Sequence, residues 1–176
     1  MAFLLLAAAI TGAGWSPGAA TTLPPAQQAT LHGWIEHPVY GPDGRLAFAL
    51  DGDIWVSGER RGQADLRADE LRQVTSGPDW DRDPAWSPDG DSIVFASDRG
   101  GSTNLWRAMV DGDGRASGTA QLTAAGAHDT QPTVAPDGTI VFVRGRDAVA
   151  DLWWRTADGT EEALKEAEGT ESGPMF

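Results

Sequence analysis

The chain is 176 residues long, carries a net charge of −13 with Lys165 as its only lysine, and contains no cysteine. So acidic a surface repels polyanions and anionic bilayers, so neither nucleic-acid binding nor membrane insertion of the mature chain is expected. Without cysteine there is no disulfide framework, thiol nucleophile or cysteine-ligated metal.

In chain order, residues 2–10 form an apolar run (Ala-Phe-Leu-Leu-Leu-Ala-Ala-Ala-Ile). Its length is that of a signal-peptide core and too short to cross a bilayer. Gly18-Ala19-Ala20 offers small residues for cleavage, although no Lys or Arg precedes the run. Residues 1–20 are therefore expected to be a signal peptide, placing the mature chain in the periplasm or outside the cell. Residues 21–35, with Pro24-Pro25 and Gln27-Gln28, read as a linker.

From there one pattern occurs three times: Pro-x-x-x-Pro-Asp-Gly, an apolar run reaching Phe, then Asp/Asn-Ile/Leu-Trp. The copies start at Pro38, Pro84 and Pro132, their apolar runs reach Phe48, Phe95 and Phe142, and they continue to Asp53-Ile54-Trp55, Asn104-Leu105-Trp106 and Asp151-Leu152-Trp153. A spacing of roughly 40–50 residues is that of β-propeller blades. In the first copy, the charged insertion at 58–70 is expected to be a solvated loop before a fourth strand, Leu71-Arg72-Gln73-Val74-Thr75. The second copy gives a strand Pro84-Ala85-Trp86-Ser87, a Pro88-Asp89-Gly90 turn, a strand at 92–97, another at 104–110, the turn Asp111-Gly112-Asp113-Gly114 and a last strand Ala120-Gln121-Leu122-Thr123. The third copy ends more weakly in Glu162-Ala163-Leu164-Lys165, and Pro174-Met175-Phe176 matches the opening of a further copy.

The expected fold is all-β: β-propeller blades of four antiparallel strands at about 38–75, 84–124 and 132–165, with a stub at 173–176. Three blades are fewer than the roughly 4–8 of a closed propeller, so the ring is incomplete. Open outer blades would show Trp- and Phe-lined faces to water and favour self-association through their edges.

The run Pro84-Ala85-Trp86-Ser87-Pro88-Asp89-Gly90, with Phe95, Ser97-Asp98-Arg99-Gly100-Gly101 and Asn104-Leu105-Trp106, closely resembles the WD-type repeat of TolB-like propellers, over about residues 36–176. The resemblance implies a non-catalytic module that binds a protein or peptide, as in the Tol–Pal system of the cell envelope. It equally fits the N-terminal propeller of a secreted amidohydrolase or prolyl-oligopeptidase-type serine peptidase. In those families the catalytic residues lie in a separate C-terminal domain.

Chemistry within the chain itself is sparse. Gly14-Trp15-Ser16-Pro17-Gly18 spells a nucleophile elbow but lacks the strand and helix such an elbow needs. Asp79-Trp80-Asp81-Arg82-Asp83 places carboxylates at alternate positions, which could suit Ca²⁺, yet Arg82 stands among them and a solvated loop is the expected reading. His32 and His37 are too poorly spaced to form a metal pair, and His128-Asp129 precedes the third copy where Arg82-Asp83 precedes the second. No catalytic, cofactor-binding or metal-binding residues are expected. Asp81, Arg82, Asp83, His128 and Asp129 are the candidates for partner-binding loops at one mouth of the propeller.

Overall fold

The computed structural model describes residues 33–58, 68–146 and 149–164. The expected signal peptide, the linker up to residue 32, the Gly14–Gly18 motif, His32, residues 59–67 of the insertion and the stub at 173–176 lie outside the described residues.

Each copy of the repeat folds into one four-stranded antiparallel sheet whose strands follow one another in chain order. The first sheet holds β1 (Ile35–Tyr40), β2 (Leu46–Leu50), β3 (Asp53–Val56) and β4 (Arg72–Gln73), with a 3₁₀ turn at Ala68–Glu70 just before the last. The second holds β5 (Asp81–Trp86), β6 (Ser92–Ser97), β7 (Asn104–Val110) and β8 (Ala116–Gln121). The third holds β9 (His128–Val134), β10 (Ile140–Arg146), β11 (Val149–Arg155) and β12 (Glu161–Ala163). First strands pack against one another, β1 on β5 and β5 on β9, so they form the inner edge of an all-β, incomplete propeller.

Local chemistry explains the turns. In all three Pro-Asp-Gly turns the Gly takes a left-handed φ, between 77° and 86°, as the last turn position permits. The Asp carboxylate accepts the N–H two residues on: Asp43 from Arg45 at 3.0 Å, Asp89 from Asp91 at 3.0 Å and Asp137 from Thr139 at 2.9 Å. Further out, Thr75 Oγ1 accepts the Ile54 N–H at 2.8 Å and Thr123 Oγ1 accepts that of Leu105 at 3.0 Å. Buried backbone donors that the pairing with the fourth strands does not reach are satisfied in this way.

Strand alternation sorts the side chains onto two unlike faces. Phe48 lies opposite Trp55, Phe95 opposite Trp106 and Phe142 opposite Trp153, forming an aromatic face on every sheet. The other face carries small or aliphatic groups: Ala47, Ala49, Ile54 and Val56, then Val94, Ala96 and Leu105. Trp86, Phe95 and Trp106 of the second sheet pack on the aliphatic face of the first. Ile140, Phe142 and Trp153 of the third do the same on the second. Each fully buried Phe contributes about 1.5–3 kcal/mol by removal from water.

Inner strands begin earlier than the prolines suggested. β5 starts at Asp81 and β9 at His128, so Asp81 and Asp83 belong to a strand rather than a solvated loop, and both are buried. Backbone pairing with the preceding sheet causes this: the Asp81 N–H donates to Gly52 O at 2.8 Å, and the Asp129 N–H to Thr103 O at 2.9 Å. Just before each proline the inner strand bulges. His37, Asp83 and Gln131 take left-handed φ values of 51°, 54° and 51°, where the pairing register shifts by a residue. Such a conformation costs a non-glycine residue roughly 1 kcal/mol or more, so the surrounding pairing must hold it.

Candidate functional site

The end of the molecule where the inner strands begin gathers most of the unusual chemistry. Matching the three prolines aligns Asp81 with Asp129 and Trp80 with His128, two positions away from the sequence-based match of Arg82-Asp83 with His128-Asp129. The equivalent backbone bonds from Asp81 and Asp129 to the preceding sheet fix this alignment.

Asp81 and Asp129, both taken from the sequence as exposed binding residues, are 1% and 0% exposed. Each is held by an arginine that also lies over its sheet's Phe–Trp pair. Arg99 Nη2 donates to Asp81 Oδ2 at 2.5 Å and sits 5.3 Å and 5.2 Å from the Phe95 and Trp106 rings. Arg144 reaches both oxygens of Asp129, at 2.7 and 2.8 Å, and Glu161 at 2.8 Å, over Phe142 and Trp153. The Asp129 carboxylate, with Glu161 beside it, raises the Arg144 pKa further above its ordinary range against the opposing effect of burial. Arg144 lies directly opposite Asp129 in the ladder, whereas Arg99 returns from the following loop to the same place, because Ser97 occupies the ladder position. The first sheet has neither group: Ile35 pairs with Leu50 there. These carboxylates are anchors of the fold.

Asp83 does join groups from three sheets. Its Oδ1 lies 3.0 Å from His37 Nδ1 of the first sheet, and its Oδ2 accepts the Gln131 N–H of the third at 3.1 Å. The three left-handed residues therefore form one bonded arc on the inner edge. Arg82, with 38% of its side chain exposed, is 4.0 Å from the same carboxylate, and His128 is exposed at the start of β9.

Two tryptophans stand outside this arc. The Trp34 N–H donates to Asp51 Oδ1 and the Trp80 N–H to Asp98 Oδ1, both at 2.8 Å, so each is fixed by its own sheet's second turn. Yet their side chains stay in water, with Trp34 70% and Trp80 47% exposed. Sequence reading passed over both because they lie outside the repeat motif; their matched place four residues before each proline was the available signal. Behind them, burial and then the nearby Asp81 carboxylate push the Asp53 pKa up. One oxygen of Asp53 and one of Asp81 are buried with no hydrogen-bond partner.

At the opposite end, Val39, Tyr40, Pro84, Trp86, Pro132 and Val134 help line a groove of about 270 Å³ between the three inner strands. Beside it Arg45 is buried over Trp86, donating to Asp43, Gly90 O and Asp111 O at 2.6–2.7 Å. Among the described residues no three His, Asp or Glu side chains are grouped to hold a metal, and no helix is long and apolar enough to cross a membrane.

A model of the TolB beta propeller domain matches residues 22–176. The chain belongs to that family. A Tol-Pal system protein TolB from Bordetella pertussis is 40% identical over 42 residues, 24% of this chain and 10% of the relative. The chain thus matches about a tenth of that protein's length. Among solved structures, a protein described as TolB from Agrobacterium tumefaciens is 25% identical with a TM-score of 0.61, covering 77% of this chain and 50% of that one. A puromycin-hydrolyzing peptidase from Mycobacterium tuberculosis, 18% identical with a TM-score of 0.54 over 81% of this chain and 25% of that one, shares the fold.

Proposed function

We propose that this chain is a non-catalytic recognition module of the cell envelope that binds a protein or peptide, and that it forms part of a longer propeller protein. Membership of the TolB propeller family supports the binding role, and the names of the Bordetella relatives together with the apolar run at 2–10 support the envelope. Part-of-a-whole status is supported by the length of the relatives, since the match covers 50% of the Agrobacterium protein and 10% of the Bordetella one.

One observation carries the reading: Trp80 remains 47% exposed to water although the neighbouring sheet's turn lies against its ring, and Trp34 stands 70% exposed at the equivalent place. Exposed aromatics on a rigid scaffold are the usual anchors of protein recognition. Selection of a displayed random-peptide library on the immobilised, folded chain tests it. Peptides that saturate the folded chain and ignore the heat-unfolded one are the expected outcome. Failure to enrich any such peptide, or a hydrolytic activity that copurifies with the chain and is lost on mutation of its own residues, would defeat the proposal.

A further inference from the structure

Four residues at the beginning of the inner strands form one continuous strip. Trp34 is bonded through its backbone to Asp51, Asp51 adjoins Gly52, and the Trp80 indole lies flat on Gly52. A Cβ placed on Gly52 would meet that ring at 3.1–3.5 Å, and Gly52 also takes a φ of +87°, so glycine is what lets the ring settle on the neighbouring sheet's turn. Trp80 is in turn bonded through its backbone to Asp98. Aromatic and carboxylate groups therefore alternate along the strip, drawn from two adjacent sheets.

Its electrostatic surroundings are one-sided. Glu36 accepts the Trp34 indole N–H at 2.9 Å, Asp79 precedes Trp80, and the partnerless buried oxygens of Asp53 and Asp81 lie behind. Of the nearby arginines, Arg99 is committed to Asp81 and Arg82 leans towards Asp83. Negative charge beside exposed indole faces favours cations that can stack on the ring while a carboxylate takes their hydrogen bonds.

Building on the peptide-binding reading above, we infer that the strip Trp34–Asp51–Trp80–Asp98 is the docking surface for an extended, arginine- or lysine-rich segment of a protein partner. Its basic side chains lie over the two indoles and bond the carboxylate oxygens that the backbone N–H groups leave free. The partner's own charge also offsets that of a chain carrying −13.

The test uses a fluorescein-labelled twelve-residue peptide of alternating Arg and Ser, titrated with the full chain by anisotropy at low and at physiological salt. Saturable binding that weakens with salt is expected, with loss of about tenfold in affinity in the double variant Asp51→Asn/Asp98→Asn. Asparagine keeps an oxygen for the Trp34 and Trp80 N–H groups, so the strip survives without its charge. Trp34→Ala, at the more exposed indole, should weaken binding by a similar factor. Asp91→Asn/Asp137→Asn, which removes the same charge from the Pro-Asp-Gly end, should leave it unchanged. Equal loss in both double variants would mean diffuse attraction to an acidic protein and would overturn the inference. So would equal binding of a Glu-Ser peptide or of a neutral tryptophan-containing one. Displayed peptides without basic residues would sink this inference and spare the binding module; no selected peptides at all would sink both.

Discussion

The aliphatic faces of the second and third sheets are built to one pattern and meet different fates. Val94, Ala96 and Leu105 of the second sheet are fully buried, because the third sheet sets Phe142 and Trp153 upon them. The register-equivalent Val141 and Val143 are half-buried, and Leu152 is 51% exposed, as is Leu164 (52%) beside it. Nothing in the residues themselves distinguishes the two faces. In a repeat fold, burial is a property of the neighbour, and the sheet is only the unit that requires one.

Substitutions can break this comparison, and the largest effect should come from the core. Phe95→Ala removes a fully buried ring from between two sheets and should cost about 3–5 kcal/mol in chemical denaturation. Leu152→Ala, on the open face, should change stability by no more than about 0.5 kcal/mol. A cost at Leu152 comparable to that at Phe95 would mean that the face is already covered in solution.

The ion-pair anchors sharpen the contrast with the first sheet, which uses Ile35 and Leu50 at the same place. Asp129→Asn leaves Arg144 buried with only Glu161 to answer it, and should cost about 3 kcal/mol or more in the same denaturation assay. Converting the pair together to Asp129→Ile/Arg144→Leu restores an apolar match and should recover most of that loss. If the double variant is as unstable as the single one, the anchors are specific to their sheets.

Leu152→Glu places a charge in the middle of the open aliphatic face, so any self-association through that face should be lost, read as a smaller mass in light scattering after size exclusion. An unchanged mass would locate any self-association elsewhere.

Smallest should be the pH response. Hydrogen bonds from Ser87 and Thr156 hydroxyls hold the Asp89 and Asp158 carboxyls below their usual range, and the Thr139 backbone N–H does so for Asp137. Their contribution is present above the ordinary carboxylate range and is lost as pH falls through the lowered folded values. Asp53 has the opposite sign: burial raises its folded pKa, so its contribution is lost as pH rises from the ordinary value through the raised one. Asp53→Asn should therefore raise Tm slightly near neutral pH and leave it unchanged in acid; a lowered Tm at neutral pH would reverse that assignment.

What was legible in the sequence follows the same physics. The Pro-Asp-Gly turns, apolar runs and Phe–Trp pairs could be read because turn chemistry and strand alternation act over a few residues. The first turns of the inner strands could not. A carboxylate ahead of a strand reads as solvated, and what permits Asp81 and Asp129 to be buried is an arginine 18 or 15 residues away. Of the proposed partner-binding residues, Asp83 joins a contact across sheets and Arg82 and His128 remain at the surface, while the exposed Trp34 and Trp80 went unread for lack of any neighbour in the motif.

The backbone bonds from Asp81 to Gly52 and from Asp129 to Thr103 also favour one order of assembly. Each inner strand is anchored to a turn made by the sheet before it, so β5 gains its full pairing only with the turn at Gly52 closed, and β9 only with that at Thr103 closed. Assembly is therefore expected to run from the N-terminal sheet onwards, the order in which a ribosome releases them. In pulse-labelled hydrogen exchange during refolding, the Asp81 amide should gain protection ahead of Asp129. Loss of the last sheet would return Val94, Ala96 and Leu105 to water and leave the Asp83 carboxylate without the Gln131 N–H, so each sheet laid down is completed by the next.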